Sequence, residues 1–158
     1  MQILHMRIGL LEHALAGLDR LALWRRPAAS PPHLLVGIRG EDKAFFELQR
    51  KGYTVVASRW SAGNLPGDVD LIAWQGQLLC MVEVKTRTAH DMTPAEVAVD
   101  GRKRHVLRRL ARAYVRQLPQ PEPPQVRFDV MSVYLVPGEK SEILHFENAF
   151  GWTDYPAH

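Results

Sequence analysis

A single cysteine, Cys80, occurs in 158 residues. That excludes a disulfide framework and any multi-cysteine metal site, and it makes the reducing cytoplasm the expected compartment. Long apolar runs are missing as well. The most apolar stretch, residues 8–24, is interrupted by Glu12, His13, Asp19 and Arg20. Neither a membrane-spanning helix nor the unbroken core of a secretion signal is therefore expected. Seven histidines are scattered without paired spacing, so no zinc site is expected. No glycine-rich loop leads from a strand into a helix, which disfavours a nucleotide-triphosphate enzyme.

What is present is ordinary globular material, 46% hydrophobic and 23% charged. A chain of this length reads as one domain and buries roughly 70% of its unfolded surface. Charge is the unusual feature. Residues 101–118 hold Arg102, Lys103, Arg104, Arg108, Arg109, Arg112 and Arg116 with no acid, within a net charge of +3. The rest of the chain carries 13 basic against 17 acidic residues, a net −4. Such a block is the footprint of a face that binds a polyanion, and the arginine fork suits phosphate. A merely solvated helix face is the plainer alternative.

Residues 1–26 read as an amphipathic helix. Leu4, Ile8, Leu11, Leu15, Leu18 and Ala22 form a seam at alternating spacings of four and three. The seam either packs on its own domain or pairs copies into a homodimer. Prolines in residues 25–32 mark a linker. A helix is expected over 41–51 with Gly52 as its stop, then a strand over 53–58 and a loop over 61–67. Two apolar runs, 69–74 and 77–84, read as a hairpin turning on Gln75-Gly76, both central in a sheet. Cys80 inside the second reads as a small buried hydrophobe. Thr93 to Glu96 is a helix start, and Asp100 caps a longer helix to Leu118. Its apolar stripe is Leu107, Leu110, Ala111, Tyr114 and Leu118. Arg102, Arg108, Arg109, Arg112 and Arg116 fall opposite, with Lys103 and Arg104 flanking. A final strand over 126–136 completes an α/β fold with a mixed sheet covered by helices. Trp60, Trp74 and Trp152 could stack on bases, but core packing is their simpler role.

Two strings place charge inside otherwise buried runs: GDVDLIA (67–73) and MVEVKTR (81–87). A buried charge is costly unless it is paired or bound to a metal. With a turn at Gln75-Gly76, Asp68 faces Glu83 and Asp70 faces Met81. Alternation then puts Asp68, Asp70, Glu83, Lys85 and Arg87 on one side of the sheet, Asp70 and Glu83 as diagonal neighbours. Carboxylates clustered with a lysine suit a hard cation such as Mg²⁺, with Lys85 handling water or transition-state charge. A simple Glu–Lys ion pair is the bland alternative.

In order, the chain carries GEDKA (40–44), Gly52-Tyr53, GDVDLIA, VEVKTR (82–87), Ala98-Val99-Asp100 with Lys103, RFDV (127–130) and ENAF (147–150). This set resembles the YraN-like family of bacterial proteins, also catalogued as UPF0102, over about residues 38–152. The family is placed in the restriction-endonuclease-like PD-(D/E)XK superfamily and is similar to archaeal Holliday-junction resolvases. The resemblance implies a three-layer α/β/α core and a nuclease using Mg²⁺ or Mn²⁺. It implies Asp70 and Glu83 as metal ligands, Lys85 as the catalytic lysine, Glu41 as the helix glutamate completing the site, and Lys103 as a phosphate contact. Arg87 and Arg104 join the basic helix as expected nucleic-acid contacts. Val69 departs from the superfamily's proline and Asp68 from the family's usual Glu. The domain boundaries that follow are a helical extension and linker over 1–37, an endonuclease-like domain over 38–152 and a tail over 153–158. The expected partner is nucleic acid, DNA ahead of RNA, with no membrane. The rival is an accessory module that binds nucleic acid and cuts nothing. A scaffold acting through the N-terminal seam ranks below both.

Overall fold

A computed structural model describes residues 32–90 and 99–153. The expected N-terminal helix and its seam, the helix start at 93–96, and the tail beyond 153 lie outside these residues. Helix α1 spans Pro32–Arg50 and so begins well before Glu41. Proline's fixed φ suits a first helical position, and nothing between Pro32 and Gly40 stops the helix. Ala44 and Leu48, one turn apart, are fully buried against the sheet. Gly52 ends the helix as expected. At φ 85° it lets its own amide reach the Gln49 carbonyl and the Tyr53 amide reach the Leu48 carbonyl, both at 3.0 Å. That is the paired closure that a left-handed residue provides after a helix.

The five-stranded sheet runs β1 (Thr54–Trp60), β2 (Val69–Gln75), β3 (Leu78–Arg87), β4 (Val126–Tyr134) and β5 (Glu142–Phe150), in that spatial order. Only β3 and β4 are parallel; the other neighbours are antiparallel. A parallel pair needs a crossover, and helix α2 (Gly101–Val115) lies within it. Asp100 caps α2 as expected, its carboxylate accepting the Lys103 amide at 2.8 Å. The helix stops at Val115 rather than Leu118, and the amides of Gln117 and Leu118 close turns on Tyr114 and Val115.

The helices cover opposite faces. Leu107, Leu110 and Ala111 of α2 pack with Ile72, Leu79, Met81, Phe128 and Val130. Ala44 and Leu48 of α1 pack with Leu71, Ala73, Cys80, Val82, Met131 and Val133. This is the three-layer α/β/α arrangement, with β2 and β3 buried on both faces. Cys80 is fully buried, and burial pushes its thiol up to about 11. The tryptophans pack: Trp60 meets Tyr114 edge-on at 5.1 Å and Trp152 meets Phe128 at 5.0 Å. The sequence reading ended the sheet at β4. A fifth strand, Glu142–Phe150, follows it.

Gly40 fixes how α1 meets β3. A Cβ there would collide with the Thr86 side chain, so the helix can approach only because glycine has none. Gly40→Ala should lower stability by about 1–3 kcal/mol through overpacking. The usual helix gain of alanine over glycine, about 1 kcal/mol, acts the other way. A thermal melt checks it: a lower melting temperature is expected, and an unchanged or higher one contradicts the tight contact with Thr86.

Candidate functional site

The hairpin turns on Gly76-Gln77, one residue later than expected. Gly76 takes a positive φ of 61°, and a turn of this kind wants glycine at its first central position. The register is then Trp74 opposite Leu79 and Leu71 opposite Val82. The pairing ends there, and just beyond it the Asp70 carboxylate, on the same side as Glu83, receives the Val84 amide. The shift is by an even number, so the expected face survives. Asp70 and Glu83 share the α2 side with Ile72 and Met81.

Glu83 is almost fully buried. Its Oε1 lies 2.8 Å from Lys85 Nζ, and its Oε2 lies 3.0 Å from Lys103 Nζ. Lys103, at the start of α2, also donates to the Asp68 carbonyl at 3.2 Å and stands 4.0 Å from that carboxylate. Burial opposes the Lys103 charge, yet Glu83, Asp70 and Asp68 together hold its pKa above the ordinary value. Asp70 Oδ2 accepts the Val84 amide at 2.6 Å. Burial and then the Glu83 charge push the Asp70 carboxyl well above the usual range, against the Val84 amide and Lys103.

Glu41 adds to the charge that raises the Asp70 carboxyl, but its own oxygens are held elsewhere. Arg59 of β1 holds both of its oxygens, Nε to Oε2 at 2.6 Å and Nη2 to Oε1 at 3.0 Å. Among the described residues, no three Asp, Glu, His or Cys side chains converge on one metal position. The structure thus brings Asp70, Glu83, Lys85 and Lys103 together and leaves Glu41 on Arg59. Arg59 was missed by the sequence reading, and its one distinguishing sign, a φ of 49°, is a property of the fold.

The donors present still fit a hard cation. Two carboxylates on neighbouring strands stand close enough for the charge of Glu83 to raise Asp70, and the buried Glu83 oxygens have only lysine ammonium groups as ion-pair partners. Mg²⁺ is usually held by one or two carboxylates, with waters and substrate phosphate completing the shell.

The basic helix divides. Arg102, Arg109, Arg112 and Arg116 are exposed, and with His105 they form one stripe at spacings of three and four. From Arg102 to Arg116 the stripe runs about 21 Å, starting beside Lys103. Arg112 lies over the Trp152 ring at 5.0 Å. Arg108 does not face out as expected. It is 6% exposed, donates to the Gly151 carbonyl at 2.8 Å, and sits over Phe150. The end of β5 folds against α2 and supplies that carbonyl and ring. Arg104 is half-buried, donates to the Val99 carbonyl at 2.7 Å and also lies over Phe150. Arg87 is half-buried at the end of β3.

The RFDV and ENAF strings meet on the other face. Asp129, fully buried, accepts from Arg127 Nε and Nη2, both at 2.8 Å, and from the Asn148 amide at 2.9 Å. His145 Nε2 stands 3.0 Å from the same carboxylate. Tyr53 joins through Glu147 at 2.6 Å and Arg127 at 2.9 Å. Every oxygen of Asp129 is used, so these motif residues fasten β4 to β5 and to the end of α1.

Comparison with known proteins follows these motifs. The model of the uncharacterised protein family UPF0102 matches residues 40–133. The chain belongs to this family. A UPF0102 protein of Koribacter versatilis is 46% identical over 120 residues, covering 76% of this chain and 82% of the relative. Another, of Solibacter usitatus, is 42% identical over 137 residues, covering 87% and 96%. Among solved structures, the chain is similar to a Holliday junction resolvase, Hjc, of Archaeoglobus fulgidus. The TM-score is 0.39 at 15% identity, with 69% of this chain and 84% of that chain covered. The UPF0102 match includes Glu41, Arg59, Asp70, Glu83, Lys85 and Lys103 and stops short of β5.

Proposed function

We propose that this protein is a metal-dependent endonuclease that hydrolyses phosphodiester bonds of nucleic acid in the cytoplasm, DNA ahead of RNA, branched or structured DNA included. One observation carries the reading: a half-buried Asp70 beside a buried Glu83, flanked by Lys85 and Lys103, where an arginine stripe of about 21 Å begins. Asp70 and Glu83 would hold Mg²⁺ or Mn²⁺. Such a cation, when bound, acidifies water and screens charge building on the scissile phosphate. Lys85, its side chain one-third exposed, can reach solvent from Glu83 and place its ammonium against that charge. Lys103 would hold a phosphate oxygen, and Arg102, Arg109, Arg112 and Arg116 the backbone beyond it. Among the described residues no helix is long and apolar enough to cross a membrane.

The competing reading, a binding module that cuts nothing, draws on Glu83 being already paired with two lysines. Incubating the protein with labelled single-stranded, duplex and four-way-junction DNA, and RNA, in Mn²⁺ or Mg²⁺ separates the two. Metal-dependent cleavage supports the nuclease; a mobility shift without cleavage in either metal supports the module.

The stripe makes its own prediction. Replacing Arg102, Arg109 and Arg116 by Gln should flatten the plot of log affinity against log salt by about 2–3 for duplex DNA, near 0.9 per lost phosphate contact. Arg108→Gln should leave that slope unchanged and lower the melting temperature instead. Fluorescence anisotropy over a salt series measures the slopes.

A further inference from the structure

Arg59 combines three features. It is an arginine with left-handed backbone, φ 49°, a conformation unfavourable for any residue carrying a Cβ. Its guanidinium grips both oxygens of Glu41. It also feels the carboxylates of Asp68 and Asp70. Three of the neighbouring acids have a cation within ion-pair distance: Glu41 has Arg59, while Glu83 and Asp68 have Lys103, with Lys85 also on Glu83. An ordinary surface ion pair needs no unusual backbone; Arg59 holds this one from within the paired part of β1, between Ser58 opposite Leu71 and Trp60 opposite Val69.

We infer that Arg59 is a positioning residue that keeps the Glu41 carboxylate off the Asp70–Glu83 pair, and that when Glu41 turns to a divalent cation the freed guanidinium takes a phosphate oxygen of the nucleic acid. The inference rests on the metal-dependent reading above. It makes Arg59 a competitor of the cation for Glu41 and a substrate contact once displaced.

Two arms on the full chain test it. In the first, Mn²⁺ alone is titrated and free Mn²⁺ is read by electron paramagnetic resonance. Arg59→Asn and Arg59→Gly, both tolerant of left-handed backbone, should each bind Mn²⁺ about three- to tenfold more tightly, as expected for losing one partly exposed charge-assisted pair. The gain should vanish when Glu41→Gln is added. Unchanged or weaker binding in both Arg59 variants, or a gain that survives Glu41→Gln, overturns the inference while Asp70-dependent binding by the parent upholds the metal reading. If the parent shows no Mn²⁺ binding that Asp70→Asn removes, both fall.

The second arm uses duplex DNA in EDTA, where nothing is cut. Glu41→Gln should steepen the salt slope by about 0.9, one added phosphate contact, and Arg59→Asn in that background should reverse it. A steeper slope that persists without Arg59 would reflect only the removal of a negative charge and would overturn the phosphate half.

Discussion

Asp70→Asn should melt higher than the parent protein in the absence of metal and lose nearly all cleavage. The two effects have one cause. Asp70 stands beside Glu83, where burial and like-charge repulsion push its carboxyl well above the usual range. Asparagine removes the charge and keeps an oxygen for the Val84 amide, which now donates to Asp70 at 2.6 Å. Relief of the repulsion is expected to stabilise by about 1–2 kcal/mol, or about 2–8 °C for a chain of this size. Cleavage should fall by on the order of 10²–10³, the scale of losing one preorganised electrostatic element. Differential scanning calorimetry and the cleavage assay on one preparation check both. A variant that melts lower, or that still cuts, contradicts the assignment.

Asp129→Ala should show the opposite separation. Its carboxylate receives Arg127, the Asn148 amide and His145 on the α1 side of the sheet, away from the Asp70–Glu83 pair. Truncation leaves Arg127 and its neighbours buried without their acceptor. Removing one partner of a buried charge pair costs about 3–5 kcal/mol, here on the order of 10 °C in melting temperature. Cleavage per folded molecule should hold. The network also sets an acid limit. Burial alone would raise the Asp129 pKa, but the His145, Arg127 and Asn148 hydrogen bonds outweigh it and hold the carboxyl below the usual carboxylate range. A depressed carboxylate contributes stability above its unfolded pKa and loses it as pH falls through the folded value. The parent should therefore lose stability more steeply than Asp129→Ala as the pH falls through and below the ordinary carboxylate range. Circular dichroism melts across an acid series measure this.

The chemistry was more legible in the sequence than its surroundings. Strand alternation alone places Asp70, Glu83 and Lys85 on one face, and the two-residue register error left that parity intact. The turn itself was misplaced because Gln75-Gly76 and Gly76-Gln77 share the same glycine, and only its positive φ decides which position it fills. The fifth strand was invisible to periodicity. Among its inward residues His145 is polar and meets Asp129, while Ile143, Phe146, Ala149 and Phe150 divide between the two cores instead of alternating on one face. Arg108 was read as exposed because helical spacing cannot anticipate a carbonyl arriving from Gly151. Glu41 was tied to the site by resemblance, and its Arg59 partner comes from a strand 18 residues away. Such pairings are tertiary, and no local pattern encodes them.

The central claim is that the neighbouring carboxylates of Asp70 and Glu83 form a cation site. Anomalous diffraction at the manganese edge, from crystals of the full chain grown with Mn²⁺, tests it most directly. The expected result is a peak between those two carboxylates, with Lys103 drawn away from Glu83. A saturated crystal with no peak there, and with Lys85 and Lys103 still on Glu83, would contradict it.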